Sequence, residues 1–104
     1  MANYLLLYKG GGMPEGDEAK AKVMADWGEW MKQCGENLVD AGNPCSNAMS
    51  VTKDNVGKVS GDRVTGYSVI KADSMDDAVK AAQMVPLVAD GTGSCDVYET
   101  FDAM

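Results

Sequence analysis

The carboxylate of Glu99 is the acidic group whose place in the sequence best suggests proton-transfer chemistry. The stretch Ser94–Phe101 is typical of a strand, and alternation places Glu99 on the same face as the apolar Cys95 and Val97. Such a carboxylate either reaches solvent at the sheet edge or lies in a pocket, where burial raises its pKa. In the pocket, Glu99 would act as a general acid or base beside tyrosine hydroxyls, and it is our candidate catalytic residue.

Aromatic and flexible side chains supply the candidates for a ligand pocket. Trp27 and Trp30 lie three residues apart on one side of a helix, where they either pack in the core or form an apolar wall for a planar or hydrophobic ligand. Lys9 ends the first strand beside a glycine-rich loop and is either a partner of Glu99 or a solvated lysine. The candidate pocket residues are Tyr4, Tyr8, Lys9, Trp27, Trp30, Met49 and Tyr67.

Other kinds of site are disfavoured by spacing. The run 10–12 of glycines matches neither phosphate-binding pattern, because GxxxxGK[ST] is absent and the sixth position of GxGxxG is Glu15. Asp73, Asp76 and Asp77 stand at a helix start, where capping and the helix dipole account for them, so we predict no metal site. The sequence has no histidine, which is the usual proton-transfer group near neutral pH. We also expect no cofactor.

Composition limits the partners. The net charge of −7 argues against a nucleic acid or an anionic membrane, since both bind through lysine and arginine. The sequence has no secretory signal and no apolar run near the roughly 20 residues that span a bilayer. Cys34, Cys45 and Cys95 are odd in number and irregularly spaced, which favours free thiols in a reducing compartment. We therefore expect a cytoplasmic protein without a membrane partner.

Hydrophobic periodicity predicts the element order β-α-β-β-α-β. The predicted strands are Asn3–Lys9, Cys45–Thr52, Val64–Ala72 and Ser94–Phe101. A long helix starts at Asp17 and is predicted to end at Gly42, before Pro44. Its apolar stripe comprises Met24, Trp27, Met31, Cys34, Leu38 and Ala41, widened by Val23 and Trp30.

The second helix carries a clear start signal. Ser74 and Asp77 form an acidic capping box, and Pro86 is expected to stop the helix. This order predicts an α+β, ferredoxin-like fold, a four-stranded antiparallel sheet with both helices on one face.

The first strand predicts the oligomeric state. Tyr4, Leu6 and Tyr8 point to one face of the sheet, whereas Leu5 and Leu7 point to the other, so neither face is polar. Two helices cover one face only, and an exposed apolar face usually marks an interface. We therefore expect a homodimer in which two sheets meet face to face.

Several motifs along the chain form one recognisable set: the opening strand with its glycine-rich loop, the long helix with paired tryptophans, segment 66–74, segment 77–79, Pro86 and segment 96–99. Together they resemble the YCII-related family of the dimeric α/β-barrel superfamily. The resemblance covers nearly the whole chain and implies a single YCII-like domain at 1–104, whose dimer encloses a small pocket between two sheets. Segment 57–63 departs from the Asp-Gly-Pro-Phe signature of some members, and Leu87 replaces a histidine often found after the proline.

The predicted function follows from this fold. We expect a small-molecule-binding, dimeric α/β-barrel protein with an apolar, tyrosine-lined cavity. Any catalysis would resemble that of other dimeric α/β barrels, which is isomerase, lyase or cofactor-free oxygenase chemistry. A histidine-dependent activity cannot be carried over to this chain. The alternative is a non-catalytic ligand-sensing or protein-interaction module.

Overall fold

The computed structural model describes residues 1–11 and 15–103. Its strands are β1 (Ala2–Gly10), β2 (Leu38–Asp40), β3 (Ser50–Val51), β4 (Val56–Gly57), β5 (Val64–Ala72) and β6 (Gly93–Glu99). Its helices are α1 (Asp17–Cys34), α2 (Met75–Gln83) and α3 (Pro86–Ala89), and a 3₁₀ turn at Gly35–Asn37 follows α1. Of the glycine-rich loop, positions 12–14 lie outside the described residues.

Four strands form an antiparallel sheet in the order β2-β5-β1-β6. With the helices packed on one face, this is the predicted ferredoxin-like α+β fold. The remaining strands, β3 and β4, pair only with each other as a separate hairpin. The hairpin is an addition to the fold that the sequence did not predict.

Strand β1 supplies the centre of the core. Tyr4, Leu6 and Tyr8 are at most 4% exposed and pack against Trp30 and Ile70 beneath the helices. Alternation along β1 is therefore as predicted for this face. The bounds of β5 also agree with the sequence, because its β-branched and aromatic residues favour a strand throughout.

Helix α1 is shorter than predicted. It ends at Gly35, whose φ of 54° continues no right-handed helix and whose N–H bonds to the Met31 carbonyl. Leu38 then pairs with Ile70 at the sheet edge, so Leu38 and Ala41 do not belong to the helical stripe. Met24, also assigned to that stripe, is 66% exposed, because the inward face is centred on Trp27 and Trp30.

The second strand was predicted in the wrong place. The edge of the sheet is formed by β2, continued by a bridge between Pro44 and Gly66. Of the predicted Cys45–Thr52, only Ser50–Val51 is extended, and it pairs within the hairpin. Edge pairing depends on residues far apart in the chain, so a local pattern did not reveal it.

Helix α2 starts where its capping residue indicates. The Asp77 backbone N–H donates to the Ser74 hydroxyl at 3.2 Å, which confirms the cap. Pro86 occupies the first turn of α3 instead of simply ending α2, which already ends at Gln83. No helix in residues 1–11 and 15–103 is long and apolar enough to cross a membrane.

The chain has more surface than a compact protein of its mass. Its accessible area is 7440 Å², against about 5,600 Å² for a compact monomer of this size. Its radius of gyration is 14.9 Å, against roughly 13 Å for a typical domain of this length. The shortest dimension is only 19 Å, as expected for one sheet with a single helical layer.

Candidate functional site

One face of the sheet is left uncovered by the described helices, and we call it the open face. Its residues lie on β1, β5 and β6, and none of them joins the hydrophobic core of the described chain. Its central residues are Leu5, Leu7, Lys9, Tyr67, Val69, Asp96 and Tyr98, and its border includes the polar residues Asn3, Lys71 and Ser94.

Cross-strand pairing arranges the open face in rows. Leu5 lies directly between Val69 and Tyr98. Leu7 lies between Tyr67 and Asp96 in the next row. Directly opposed side chains in antiparallel strands are in contact range, so each leucine is flanked by an aromatic ring. The leucines are half-buried, whereas Tyr98 is 54% exposed.

A charged pair borders this apolar surface. Lys9 Nζ lies 2.8 Å from Asp96 Oδ2, and both side chains are partly exposed. The hydrogen bond to Asp96 and its negative charge raise the pKa of Lys9, with smaller contributions from Tyr98 and Asp62. Lys9 is therefore cationic at neutral pH, and its ammonium group has a fixed position next to two tyrosine-bearing strands.

Glu99 lies on the opposite face of the sheet, at its end. It pairs with Tyr4 across β1 and β6, and the Tyr4 hydroxyl donates to Glu99 Oε1 at 2.9 Å. Burial raises the pKa of Tyr4, as do the hydrogen bond to Glu99 and the charges of Glu99 and Asp77. The tyrosine thus stays protonated and donates, while the exposed Glu99 retains a free oxygen that accepts a hydrogen bond or a proton.

The helix-covered face contains the other aromatic candidates. Tyr8 meets Trp27 edge-on at 5.2 Å between ring centroids, and Trp27 meets Trp30 edge-on at 6.0 Å. The indole N–H of Trp30 donates to the Ala81 carbonyl at 3.0 Å, which fixes α1 against α2. These contacts are those of a packed core, the structural alternative that the sequence left open for the tryptophans.

The hydroxyl of Tyr8 is an exception in this core. It is buried and has no hydrogen-bond partner among the described residues. Ser68 lies near it, but the Ser68 hydroxyl donates to the Ala41 carbonyl at 2.8 Å. Burial raises the pKa of Tyr8 strongly, and the nearby Ser68 opposes the rise only in part. Tyr8 therefore remains neutral, and its orphaned hydroxyl lowers the stability of the fold.

Two shallow grooves open on the helical side. One, of about 540 Å³, lies between α2, α3 and β6 and is lined by Met75, Val79 and Val97 among others. Glu99 follows Val97 by two residues on the same face of β6. The other groove, of about 450 Å³, lies between α1, β5 and α2, and its lining includes Trp30 and Cys34.

The structure separates the predicted site residues into three groups. Lys9 and Tyr67 lie on the open face. The core group, on the helix-covered face beside Glu99, consists of Tyr4, Tyr8, Trp27 and Trp30. Met49 lies outside both groups, next to β3, and is 61% exposed. A single pocket containing all of these side chains does not form within one chain.

Tyr98 and Asp96 of the open face are not among the site residues predicted from the sequence. Both lie on the side of the last strand that faces away from the helices. Their alternation with Glu99 was the available signal, since it puts Glu99 and Tyr98 on different sides. The alternation alone does not show which of the two faces the helices cover.

Cys34, Cys95 and the acidic side chains of the described residues supply no further candidate site. Burial, with the charge of Asp96, raises the pKa of Cys95 to about 11, and burial raises the pKa of Cys34, so neither thiol is an activated nucleophile. Over residues 1–11 and 15–103, no group of three or more histidine, cysteine or acidic side chains is placed to hold a metal ion.

Comparison with known proteins relates the chain by structure to a solved enzyme. No protein-family model matches the sequence, and no curated protein matches it. A solved structure that resembles it is 5-chloro-2-hydroxyhydroquinone dehydrochlorinase (TftG) from Burkholderia phenoliruptrix AC1100, in complex with 2,5-dihydroxybenzoquinone. The TM-score is 0.60 at 17% identity, over 96% of this chain and 93% of that chain. The protein therefore shares its α+β fold with this dehydrochlorinase.

Proposed function

We propose that the protein is a homodimeric α/β-barrel protein that binds a small planar organic molecule between the open faces of two copies. The observation that carries the proposal is the open face itself, where Leu5, Leu7, Val69 and two tyrosines face no helix of the described residues. The chain exposes roughly 1,800 Å² more than a compact monomer, an excess to which the open face and the projecting residues 45–63 both contribute.

The open face suits a twofold dimer. In an isologous interface each patch must complement itself, which rows of leucine and tyrosine do without charge repulsion. Lys9 and Asp96 pair with each other within one chain, and the exposed Lys71 lies at the border of the face, beside Asn3. Membership of the YCII-related family and a cytoplasmic location belong to the same proposal and rest on the sequence motifs and the free thiols.

The side chains of the open face favour a planar ligand with an acidic hydroxyl or carbonyl. Tyr67 and Tyr98 offer flat apolar surfaces, and the ammonium group of Lys9, although paired with Asp96, has further N–H donors for a ligand oxygen. The structural neighbour TftG is in complex with 2,5-dihydroxybenzoquinone, a molecule with these properties. This likeness supports the ligand class and makes that compound a direct probe.

Isothermal titration calorimetry with 2,5-dihydroxybenzoquinone tests the proposal. We expect the dimer to bind this compound. Lys9→Met and Tyr67→Ala should each lower the affinity at least about tenfold, which corresponds to a loss of roughly 1.4 kcal/mol of binding free energy. Lys20→Met, an exposed lysine of α1, is the matched control and should bind normally. If all four proteins bind equally, the ligand lies elsewhere, and a flat titration excludes this ligand.

Proton transfer by Glu99 is the second candidate function, favoured by the 2.9 Å hydrogen bond from Tyr4. One Glu99 oxygen is held by the phenol while the other is free, as a general base requires. If Glu99 is such a base, Glu99→Gln abolishes proton exchange of a bound substrate and flattens its pH profile, whereas Glu29→Gln does not. An unchanged pH profile in Glu99→Gln contradicts catalysis by Glu99 and favours the non-catalytic, ligand-sensing alternative.

A further inference from the structure

Residues 45–63 project from the sheet as a separate unit, which we call the arm. Every residue of the arm is exposed except Ala48, which is half-buried. The arm leaves the sheet where Cys45 bonds to Thr65 and returns at Val64, the first residue of β5. It therefore contributes surface to the chain and almost nothing to its core.

The arm is nevertheless an ordered hairpin. Strands β3 and β4 pair in antiparallel register. The turn between them is closed by the Thr52 N–H donating to the Asn55 carbonyl at 2.8 Å and the Asn55 N–H donating to the Thr52 hydroxyl at 3.1 Å. A two-stranded hairpin alone is marginally stable in water, so its apolar side chains need a surface to contact.

One side of the arm is apolar and uncovered. Val51 and Val56 lie directly opposite each other and are 69% and 65% exposed. Met49, two residues before Val51 and hence on the same side, is 61% exposed. The pair Ser50 and Gly57 forms the other side. This amphipathic pattern is that of a hairpin that packs against another protein surface.

The base of the arm lies at the rim of the open face. The arm ends at Arg63, and the next residue, Val64, pairs with Lys9 of the open face across β5 and β1. A second copy seated on the open face would therefore lie beside the arm. The arm is thus continuous with the proposed dimer interface.

Charge complementarity selects the same occupant. The arm contains Lys53, Lys58 and Arg63 against Asp54 and Asp62, a net charge of +1. Because the whole chain carries −7, the remainder carries −8. A basic arm is attracted to an acidic body, and the body of a second copy is acidic.

We infer that the arm packs its Met49, Val51 and Val56 side onto a second copy of this chain, at the rim of the open-face interface. The inference rests on the proposed dimer. It adds a contact in which the arm of each chain packs against the other chain. Twofold symmetry makes this contact reciprocal, so every change in the arm acts twice per dimer.

Photo-crosslinking and dimer dissociation test the arm. With benzoylphenylalanine in place of Met49, we expect ultraviolet light to give a covalent dimer, whereas the same probe at Met24, equally exposed on α1, gives none. The double variant Met49→Asp with Val51→Asp should raise the dimer dissociation constant by about 100-fold or more in sedimentation equilibrium. Met24→Asp should leave it unchanged.

The outcomes separate the arm from the dimer itself. A normal dimer that neither crosslinks through Met49 nor weakens in the double variant overturns the role of the arm and leaves the open-face dimer standing. A wild-type chain that is monomeric at micromolar concentration overturns both. Circular dichroism of the double variant should match the wild type, because the arm lies outside the core.

Discussion

Leu7→Ser is the sharpest test of the open face. Leu7 lies at the centre of the face between Tyr67 and Asp96 and is half-buried in the single chain. A second copy would bury the rest of its side chain and the aromatic ring beside it. Replacing leucine by serine removes that apolar contact without adding a charge.

The expected magnitude follows from the twofold symmetry. Loss of the newly buried leucine surface costs about 1.5 kcal/mol per copy. Each dimer contains the substitution twice, so the association free energy changes by about 3 kcal/mol, a rise of roughly 150-fold in the dissociation constant. The unfolding free energy of the single chain should change by much less, because Leu7 lies outside the core of the described residues.

Sedimentation equilibrium over a dilution series measures this constant. Met84→Ser is the control, since Met84 is 59% exposed at the end of α2 on the helical side. An unchanged dissociation constant for Leu7→Ser, or an equal loss in Met84→Ser, would refute the assignment of the open face as the dimer interface.

Three further predictions concern stability, each measured by urea unfolding. Tyr8→Phe removes a buried hydroxyl that has no partner among the described residues and should stabilise the fold by about 1 kcal/mol at pH 7. The pKa of Tyr8 is raised in the folded state above its value in the unfolded state, so the wild type should lose stability as the pH rises above about 10. Tyr8→Phe should lose less stability over this range. Equal slopes of unfolding free energy against pH for the two proteins would contradict this. Gly42→Ala should destabilise the fold strongly, because φ at Gly42 is +78° and a Cβ would overlap the Tyr67 carbonyl. Gly28→Ala places its Cβ in open space on α1 and should stabilise the fold by up to about 1 kcal/mol. Similar effects of the two substitutions would be inconsistent with this geometry. Ser74→Ala should cost about 1 kcal/mol through loss of the α2 cap, and no change would mean that the hydroxyl is not the cap in solution.

Local patterns in the sequence predicted the parts of the fold that depend on neighbouring residues. The bounds of β5, the cap at Ser74 and the two-sided character of β1 each follow from residue types within a few positions. The element order and the ferredoxin-like topology follow from these elements and from short connections. Glu99 beside a tyrosine hydroxyl was also expected, and the structure identifies that tyrosine as Tyr4.

Non-local contacts account for the errors. The edge strand is β2 because Leu38 pairs with Ile70, and these two residues are 32 positions apart in the chain. Segment 38–40 has no periodicity that predicts this pairing. For the same reason the predicted helix runs too far, past Gly35, and residues 45–52 were wrongly predicted to form the second strand.

What the sequence by itself determined is the alternation of side chains along each strand, since the extended backbone imposes it. Only the tertiary structure decided which face the helices cover. That choice placed Tyr4, Tyr8 and Glu99 beneath or beside the helices and left Leu5, Leu7, Tyr67 and Tyr98 on the open face. The physical reason is that alternation defines two sides of a sheet but does not decide which side is covered. Packing against helices that are distant in the sequence decides this.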